Sequence, residues 1–311
     1  MPQVLVLGRP LDWILDRLRA SYDVVEAGSP LSSASDGRDA DAAVCFGGGQ
    51  VDGPTLDLFP KVKVIVNFGA GYDRIDIAAA HRRGVAVAYL PGLTSTCVAD
   101  HAMALLLAAR RGVVAGHHFV EEGHWNLRRF PLMQRASGQK LGIYGLGNIG
   151  KALARRAEAF DMPIGYHNRR PRADVGYRSF GSLRELAAWA DTLAVCCPAT
   201  PDTIGSVNAE ILSALGPGGL LVNVARGSIV DEDALVEALD QGRIAGAALD
   251  VFPVEPCRPD RLLGRDNVVL TPHVGGGTEE TWRETVDRMM ANLEAHFARG
   301  RVLDPVPGSY A

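Results

Sequence analysis

The chain has 311 residues, of which 47% are hydrophobic and 22% charged, and its formal net charge is −4. That composition is ordinary for a globular protein, and the length is enough for two domains. The negative balance argues against a general nucleic-acid binder but leaves room for a local cationic pocket. The five cysteines, Cys45, Cys97, Cys196, Cys197 and Cys257, are odd in number and show no C-x-x-C spacing. Neither a disulfide framework nor a zinc knuckle is expected, and a reducing cytoplasmic setting is. The opening "MPQVLVLG" has no basic n-region, so no signal peptide is expected. The apolar run "AMALLLAA", bracketed by Asp100 and Arg110, is too short to span a bilayer and reads as a buried helix.

Short apolar runs alternate with helical patterns. Val4–Leu7 reads as a strand and Asp12–Ala20 as a helix with Ile14, Leu15 and Leu18 inward. Ala42–Phe46, Val62–Val66 and Val85–Tyr89 are further strands, continuous and rich in Val, Ile and Ala, as strands buried on both faces tend to be. A long helix is expected from Cys97 to Glu122, followed by the loop "GHWNLRRFPLMQRASGQ". A second series then runs through "KLGIY", a helix from Lys151, "PIGYH", a helix near Leu183–Ala190, and "LAVCC". It continues through a helix near Asn208–Leu215, "GLLVNVA", a helix near Asp231–Asp240, "AGAALD" and "NVVLTP". Six strands with five connections suffice for a full dinucleotide-binding sheet. A last long helix is expected near Glu279–Arg299, and it could return the chain to the first domain. The fold class is therefore α/β, with doubly wound parallel sheets in two Rossmann-like domains.

Gly145, Gly147 and Gly150 form G-x-G-x-x-G directly after an apolar strand and directly before an amphipathic helix. In that context the first glycine permits the tight turn, the second lets a pyrophosphate approach the backbone, and the third lets helix and strand pack closely. A glycine-rich turn without a ligand is the plainer alternative. An NAD site then calls for a carboxylate about 20 residues on, to accept from the ribose 2′-OH. That window holds "GYHNRRPR", residues 165–172, with no Asp or Glu. Arg169 can offer a guanidinium fork to the 2′-phosphate of NADP, with Asn168 and Arg170 as further donors. NADP(H) is thus the preferred cofactor, NAD(H) a possible one, and a solvated basic turn the alternative.

Three further segments follow apolar strands: "NVARGSIVDEDAL" with Arg226, "ALDVFPVEP" with Asp250 and Glu255, and "VVLTPHVGGG" with His273. Ligand crevices of open α/β sheets lie just past the carboxyl ends of the strands. Arginine, glutamate and histidine there suit reduction of a 2-oxo acid. Arginine binds the planar carboxylate in bidentate fashion. Histidine supplies the proton that the developing alkoxide needs, and a paired carboxylate stabilises the imidazolium. Singly, each residue reads as a salt-bridge or turn residue; together at successive strand ends they point to a site.

The motifs "GLGNIG", "NVARGSIVDEDAL", "AGAALDVFPVEP" and "VVLTPHVGGGT", in this order, resemble the D-isomer-specific 2-hydroxyacid dehydrogenases. The likeness runs from "VKVIVNFGAGYDRID" to the last helix, and its flavour is that of the NADPH-preferring glyoxylate/hydroxypyruvate and hydroxyphenylpyruvate reductases. The resemblance implies that Arg226 binds the substrate carboxylate, His273 is the acid/base and Glu255 pairs with it. It implies Asp250 near the nicotinamide carboxamide and the backbone around Ala70 and Gly71 on the substrate carboxylate. Cofactor contacts are expected at Gly145, Leu146, Gly147, Asn148, Ile149, Gly150, Asn168, Arg169, Arg170, Cys197, Pro198, Thr203, Val224, Ala225, Asp250 and Gly275. A flavodoxin-like substrate domain of residues 1–96 and 286–311 would carry the cofactor domain, 97–285, as an insertion, with hinges near Thr94–Cys97 and Glu284–Asp287. A homodimer through residues 97–137 is implied, with Phe130, Leu132 and Met133 as candidates for shaping substrate preference.

Other readings are weaker. "HHFVEEGH" places His117, His118, Glu121, Glu122 and His124 together but matches no H-E-x-x-H pattern, so no metal is expected. No G-x-S-x-G supports a serine hydrolase. A dinucleotide-sensing corepressor would keep the same triad, but no basic arm or interaction tail is visible; formate dehydrogenases resemble this family but carry Gln where Glu255 stands. An NAD-dependent dehydrogenase of another 2-hydroxy acid stays open, as does the substrate's side chain.

Overall fold

The computed structural model describes residues 1–27, 37–47 and 49–308. They pack as two units: Met1–Thr94 with Thr278–Ala311, and Ser95–Gly277.

The first unit carries β1 (Gln3–Gly8), α1 (Asp12–Arg19), β2 (Asp23–Glu26), β3 (Ala42–Phe46), α2 (Gly53–Asp57), β4 (Val64–Asn67), α3 (Ile77–Arg82) and β5 (Ala86–Ala88). The order β2-β1-β3-β4-β5, parallel throughout, is the flavodoxin-like order. Its apolar runs are continuous because both faces are covered. Val4, Val6, Val64 and Val66 pack with Ile14 and Leu18 of α1, whereas Leu5, Leu7 and Ile65 pack on the other face with Leu56 of α2 and Ala79 of α3. Strand periodicity of two sends alternate residues to opposite cores. Each fully buried side chain of this size contributes about 1.5–3 kcal/mol.

The second unit carries α4 (Ser95–Arg111), α5 (Val113–Glu121), β6 (Leu141–Tyr144), α6 (Asn148–Glu158), β7 (Ile164–His167), β8 (Arg178–Ser179) and α7 (Leu183–Trp189). It continues with β9 (Thr192–Val195), α8 (Ala209–Leu215), β10 (Leu220–Asn223), α9 (Glu232–Asp240), β11 (Gly246–Leu249) and β12 (Val268–Leu270). The parallel sheet runs β12-β11-β10-β9-β6-β7-β8. Chain order reverses between β6 and β9, where such sheets open their ligand crevice. Leu193 and Val195 enter the core under α7–α9, and Ala194 the opposite core with α4 and α6. The last helix, α10 (Glu279–Arg299), belongs to the first unit, where Val286, Met289, Met290 and Leu293 complete the core with α1.

The α/β class and parallel sheets agree with the sequence. Several details do not. The single helix expected from Cys97 to Glu122 is two, broken at Gly112. That residue has φ +59°, and a Cβ there would lie 2.5 Å from Met133 Cε. The dinucleotide sheet has seven strands, because the two-residue β8 caps its edge. The edge strand β2 has no long apolar run to announce it. The boundary expected at 285/286 and the hinge expected at Glu284–Asp287 both fall inside continuous α10; the chain passes between units at Gly277–Thr278, where Thr278 caps the helix through the Thr281 N–H. No helix among the described residues is long and apolar enough to cross a membrane.

Candidate active site

The glycine turn joins β6 to α6, and its three glycines answer three constraints. Gly145 has φ +100°, and a Cβ on it would come within 2.5 Å of the Cys197 backbone. On Gly150 a Cβ would strike Gly145 O and lie 3.0 Å from Ile143 Cγ2, so this glycine lets the helix press against its strand. At Gly147 a Cβ would meet nothing within 4 Å. The protein itself therefore gives no steric reason for the second glycine; the close approach of a phosphate does. The helix starts differ in the same sense. Ser182, Asn208 and Asp231 cap α7, α8 and α9 with side-chain oxygens, whereas α6 starts at Gly147 with no side-chain cap. Its first N–H groups, with those of Asn148 and Ile149, suit an anion. The chain thus fits a dinucleotide pyrophosphate. Leu146, fully buried, anchors the turn in the core.

After β7, Asn168 turns its amide oxygen back to accept from Leu146 N at 2.6 Å. It ties the second strand end to the glycine turn, which leaves the amide NH2 as its donor. Arg169 and Arg170 are exposed, and no ion pair engages either among the described residues. The third arginine of the stretch behaves differently. Arg172 pairs with Asp174 at 2.7 Å, and Lys151 also reaches that carboxylate. These two cations hold the Asp174 carboxyl well below the usual carboxylate range, so the first acid after β7 is already neutralised.

Cys197 and Pro198 follow β9. Thr203 Oγ1 accepts from Thr200 N and donates to Pro198 O, each at 2.8 Å, so this hydroxyl folds its own loop. Past β10, buried Asn223 organises the next turn: its Oδ1 accepts from Ala225 N at 3.1 Å and its Nδ2 donates to Arg226 O at 3.0 Å. Val224 and Ala225 are buried, and half-buried Arg226 donates from Nη1 to Ala225 O at 2.7 Å.

Asp250, only 2% exposed at the end of β11, is the buckle of the site. Its Oδ1 accepts from Thr271 Oγ1 at 2.7 Å and Val274 N at 2.9 Å, and its Oδ2 from Gly275 N at 2.8 Å. Its backbone carbonyl accepts from His273 N at 2.8 Å. These bonds hold His273 at φ +54°, a left-handed conformation uncommon outside glycine. His273 Nδ1 lies 2.7 Å from Glu255 Oε2, and Glu255 Oε1 accepts from Phe252 N at 2.8 Å. A carboxylate only accepts, so Nδ1 carries the proton of that bond and Nε2 is the atom left for exchange. The imidazole is 46% exposed and its carboxylate partner 18%. The proton can thus be exchanged while the partner stays fixed.

Arg226, the Asp250–Glu255 segment and His273 follow β10, β11 and β12, three adjacent strands about 4.8 Å apart. Ala70 and Gly71 belong to the first unit, in the turn after β4, where Asn67 Nδ2 donates to Gly69 O and Gly71 O at 3.0 Å. Two further residues of the second unit escape motif reading. A Cβ on Gly227 would run into the backbone of Phe252 and Pro253, so the turn carrying Arg226 is pressed directly on the segment leading to Glu255. His101 of α4 reaches Thr271 and Asp250. A glycine after a strand-end arginine is visible in sequence; the residue it must accommodate is not. Among the described residues no cluster could hold a metal ion. The histidines of 117–124 lie beside Glu121 and Glu122.

Comparisons agree with this geometry. Residues 103–275 match the model of the D-isomer specific 2-hydroxyacid dehydrogenase NAD binding domain. The chain is 44% identical over 255 residues to hydroxyphenylpyruvate reductase of Plectranthus scutellarioides, covering 82% of each chain. It is 42% identical, at the same coverage, to glyoxylate/hydroxypyruvate reductase A of Arabidopsis thaliana. Among solved structures, the NADPH-dependent glyoxylate/hydroxypyruvate reductase of Sinorhizobium meliloti, in complex with NADP and malonate, superposes with TM-score 0.91 at 41% identity, over 98% of this chain and 96% of that one. A glycine turn open to phosphate, a histidine–glutamate pair on the two strand ends beside that of an arginine, and these likenesses give one conclusion: the chain belongs to the D-isomer-specific 2-hydroxyacid dehydrogenases, oxidoreductases that use NAD(P).

Proposed function

We propose that the protein reduces a small 2-oxo acid, such as glyoxylate or hydroxypyruvate, to the 2-hydroxy acid with NADPH, as the D isomer wherever C2 of the product is a stereocentre. The His273–Glu255 pair carries this reading: an imidazole with one nitrogen fixed to a carboxylate and the other left to exchange a proton. Bound NADPH supplies the hydride. The residues of the chain do the rest. Gly145, Gly147 and Gly150 with the start of α6 hold the pyrophosphate. Arg169 and Arg170, unpaired among the described residues, hold the 2′-phosphate with the Asn168 amide. Arg226 orients the substrate carboxylate, and His273 Nε2 delivers the proton to the carbonyl oxygen as it gains charge. Glu255 keeps the imidazolium and its tautomer in place. The reductases named above, from a plant and from Sinorhizobium, support both the substrate class and the cofactor.

A homodimer through residues 97–137 belongs to the same proposal. Val113, Val114, Val120, Trp125, Leu127, Leu132 and Met133 are all exposed in that stretch. So dense an apolar surface suits a partner. Phe130, Leu132 and Met133 are proposed to shape substrate preference. The five free thiols suit the reducing cytoplasm. The test is a panel of 2-oxo acids assayed with NADPH and NADH, with chiral analysis of the product. A D-2-hydroxy acid formed with NADPH supports the reading; an L-product, or no turnover of any 2-oxo acid, refutes it.

A further inference from the structure

His101 has no part in the chemistry above, yet it reaches the turn that performs it. It lies in α4, where a histidine would ordinarily be a helix-surface residue. Its side chain is instead 21% exposed, with Nε2 at 2.9 Å from Thr271 Oγ1 and 3.3 Å from Asp250 Oδ1. Proton counting fixes the direction of these bonds. Thr271 has one hydroxyl proton and donates it to Asp250 Oδ1. A carboxylate has none to give. The proton shared with His101 therefore sits on Nε2, and His101 is the donor. A chain of bonds follows: His101 Nε2–H to Thr271 Oγ1, Thr271 to Asp250, and Asp250 accepting from Val274 N and Gly275 N. The backbone carbonyl of Asp250 closes the chain on His273 N. Gly275 shows how tightly the turn is pressed on these groups, since a Cβ there would lie 2.9 Å from Asp250 Oδ2 and 3.6 Å from His101 Cδ2.

We propose that His101 is a positioning residue for His273: its Nε2–H locks Thr271 and Asp250, and through them holds the left-handed turn that aims the proton-donating imidazole. The proposal rests on the reading of His273 as proton donor. The carboxylate it completes is almost wholly buried, where a missing donor is felt more than at a surface. A leucine fills similar space without an N–H, whereas glutamine retains a side-chain N–H of similar reach.

The experiment compares His101→Leu with His101→Gln in the full-length protein. Three things are measured: kcat with a 2-oxo acid, the KM for NADPH, and the 15N ring resonances of His273 by NMR. His101→Leu lowers kcat by about tenfold or more, as expected when a reacting group is slightly misplaced. It leaves the KM for NADPH unchanged and displaces the His273 resonances. His101→Gln recovers most of the kcat and the parental resonances. Parental kcat and resonances in His101→Leu overturn the proposal, and so does His101→Gln as impaired as His101→Leu. Should His101→Leu fail to fold, Thr271→Val breaks the same chain one bond further on. Thr271→Val then lowers kcat and displaces the His273 resonances; parental kcat and resonances in Thr271→Val overturn the proposal. A parent that turns over no 2-oxo acid refutes the functional reading, while the His273 resonances still report on positioning.

Discussion

The two ends of the second unit's sheet are built on opposite plans. At the glycine turn and the end of β7, the groups offered to a ligand are left without protein partners among the described residues: uncapped N–H groups at Gly147, open space over it, and exposed Arg169 and Arg170. At the ends of β10, β11 and β12 nearly every polar atom is engaged. Asp250 accepts three hydrogen bonds on its carboxylate, Glu255 bridges Phe252 and His273, and Asn223 ties off the turn bearing Arg226. On the proposed reading, cofactor choice is thus a matter of groups kept available. In the proposed reaction, proton transfer is a matter of one group held in place, for which the backbone carries a left-handed His273.

Substitutions at the held end are expected to cost the most. His273→Ala removes the proposed proton donor and should lower kcat by about 10²–10⁴-fold while NADPH still binds, read by steady-state rates and fluorescence titration. Undiminished kcat would break the contrast. Gly227→Ala forces a methyl into the Phe252–Pro253 backbone. It should destabilise the fold by about 3 kcal/mol or move the Arg226 turn, seen as a lowered Tm or a raised KM for the 2-oxo acid. A variant unchanged in both would show that the two turns are not interlocked. Glu255→Gln withdraws the carboxylate that favours the imidazolium. The charge the ring carries with its proton is then unpaired, so kcat should fall by about tenfold; undiminished kcat contradicts the pairing role.

The open end should respond in binding alone. Arg169→Ala loses a charge-assisted bond of about 1.5–3 kcal/mol, or about one to two decades in the KM for NADPH, with the KM for NADH and kcat little changed. Equal effects on both cofactors would remove Arg169 from the 2′-phosphate. Thr203→Val is the smallest change. Its hydroxyl serves Thr200 and Pro198, so the loss should be about 1 kcal/mol of stability, read by denaturant titration, and not cofactor selectivity.

The same contrast explains what the sequence made legible. Continuous apolar runs identify most strands, because burial on both faces leaves a composition signal even in four residues such as Thr192–Val195. The glycine turn and the strand-end Arg226, Glu255 and His273 stand out because each follows such a run. What escapes is set by distance along the chain. The need for glycine at 227 depends on Phe252, and the role of His101 on Thr271, 170 residues away. The short edge strands β2 and β8 escape for a different reason: none of their residues is fully buried. Asp250 is visible as a strand-end acid, but its four bonds to the 271–275 turn follow only from the fold.

The most direct test of the account is the ratio of kcat/KM for NADPH to that for NADH, measured on the parent and on Arg169→Ala/Arg170→Ala with the same 2-oxo acid. The account predicts a parental ratio well above one that collapses in the double variant while kcat with saturating cofactor stays near the parental value. A ratio unchanged by losing both arginines, or a parent that favours NADH, would contradict it.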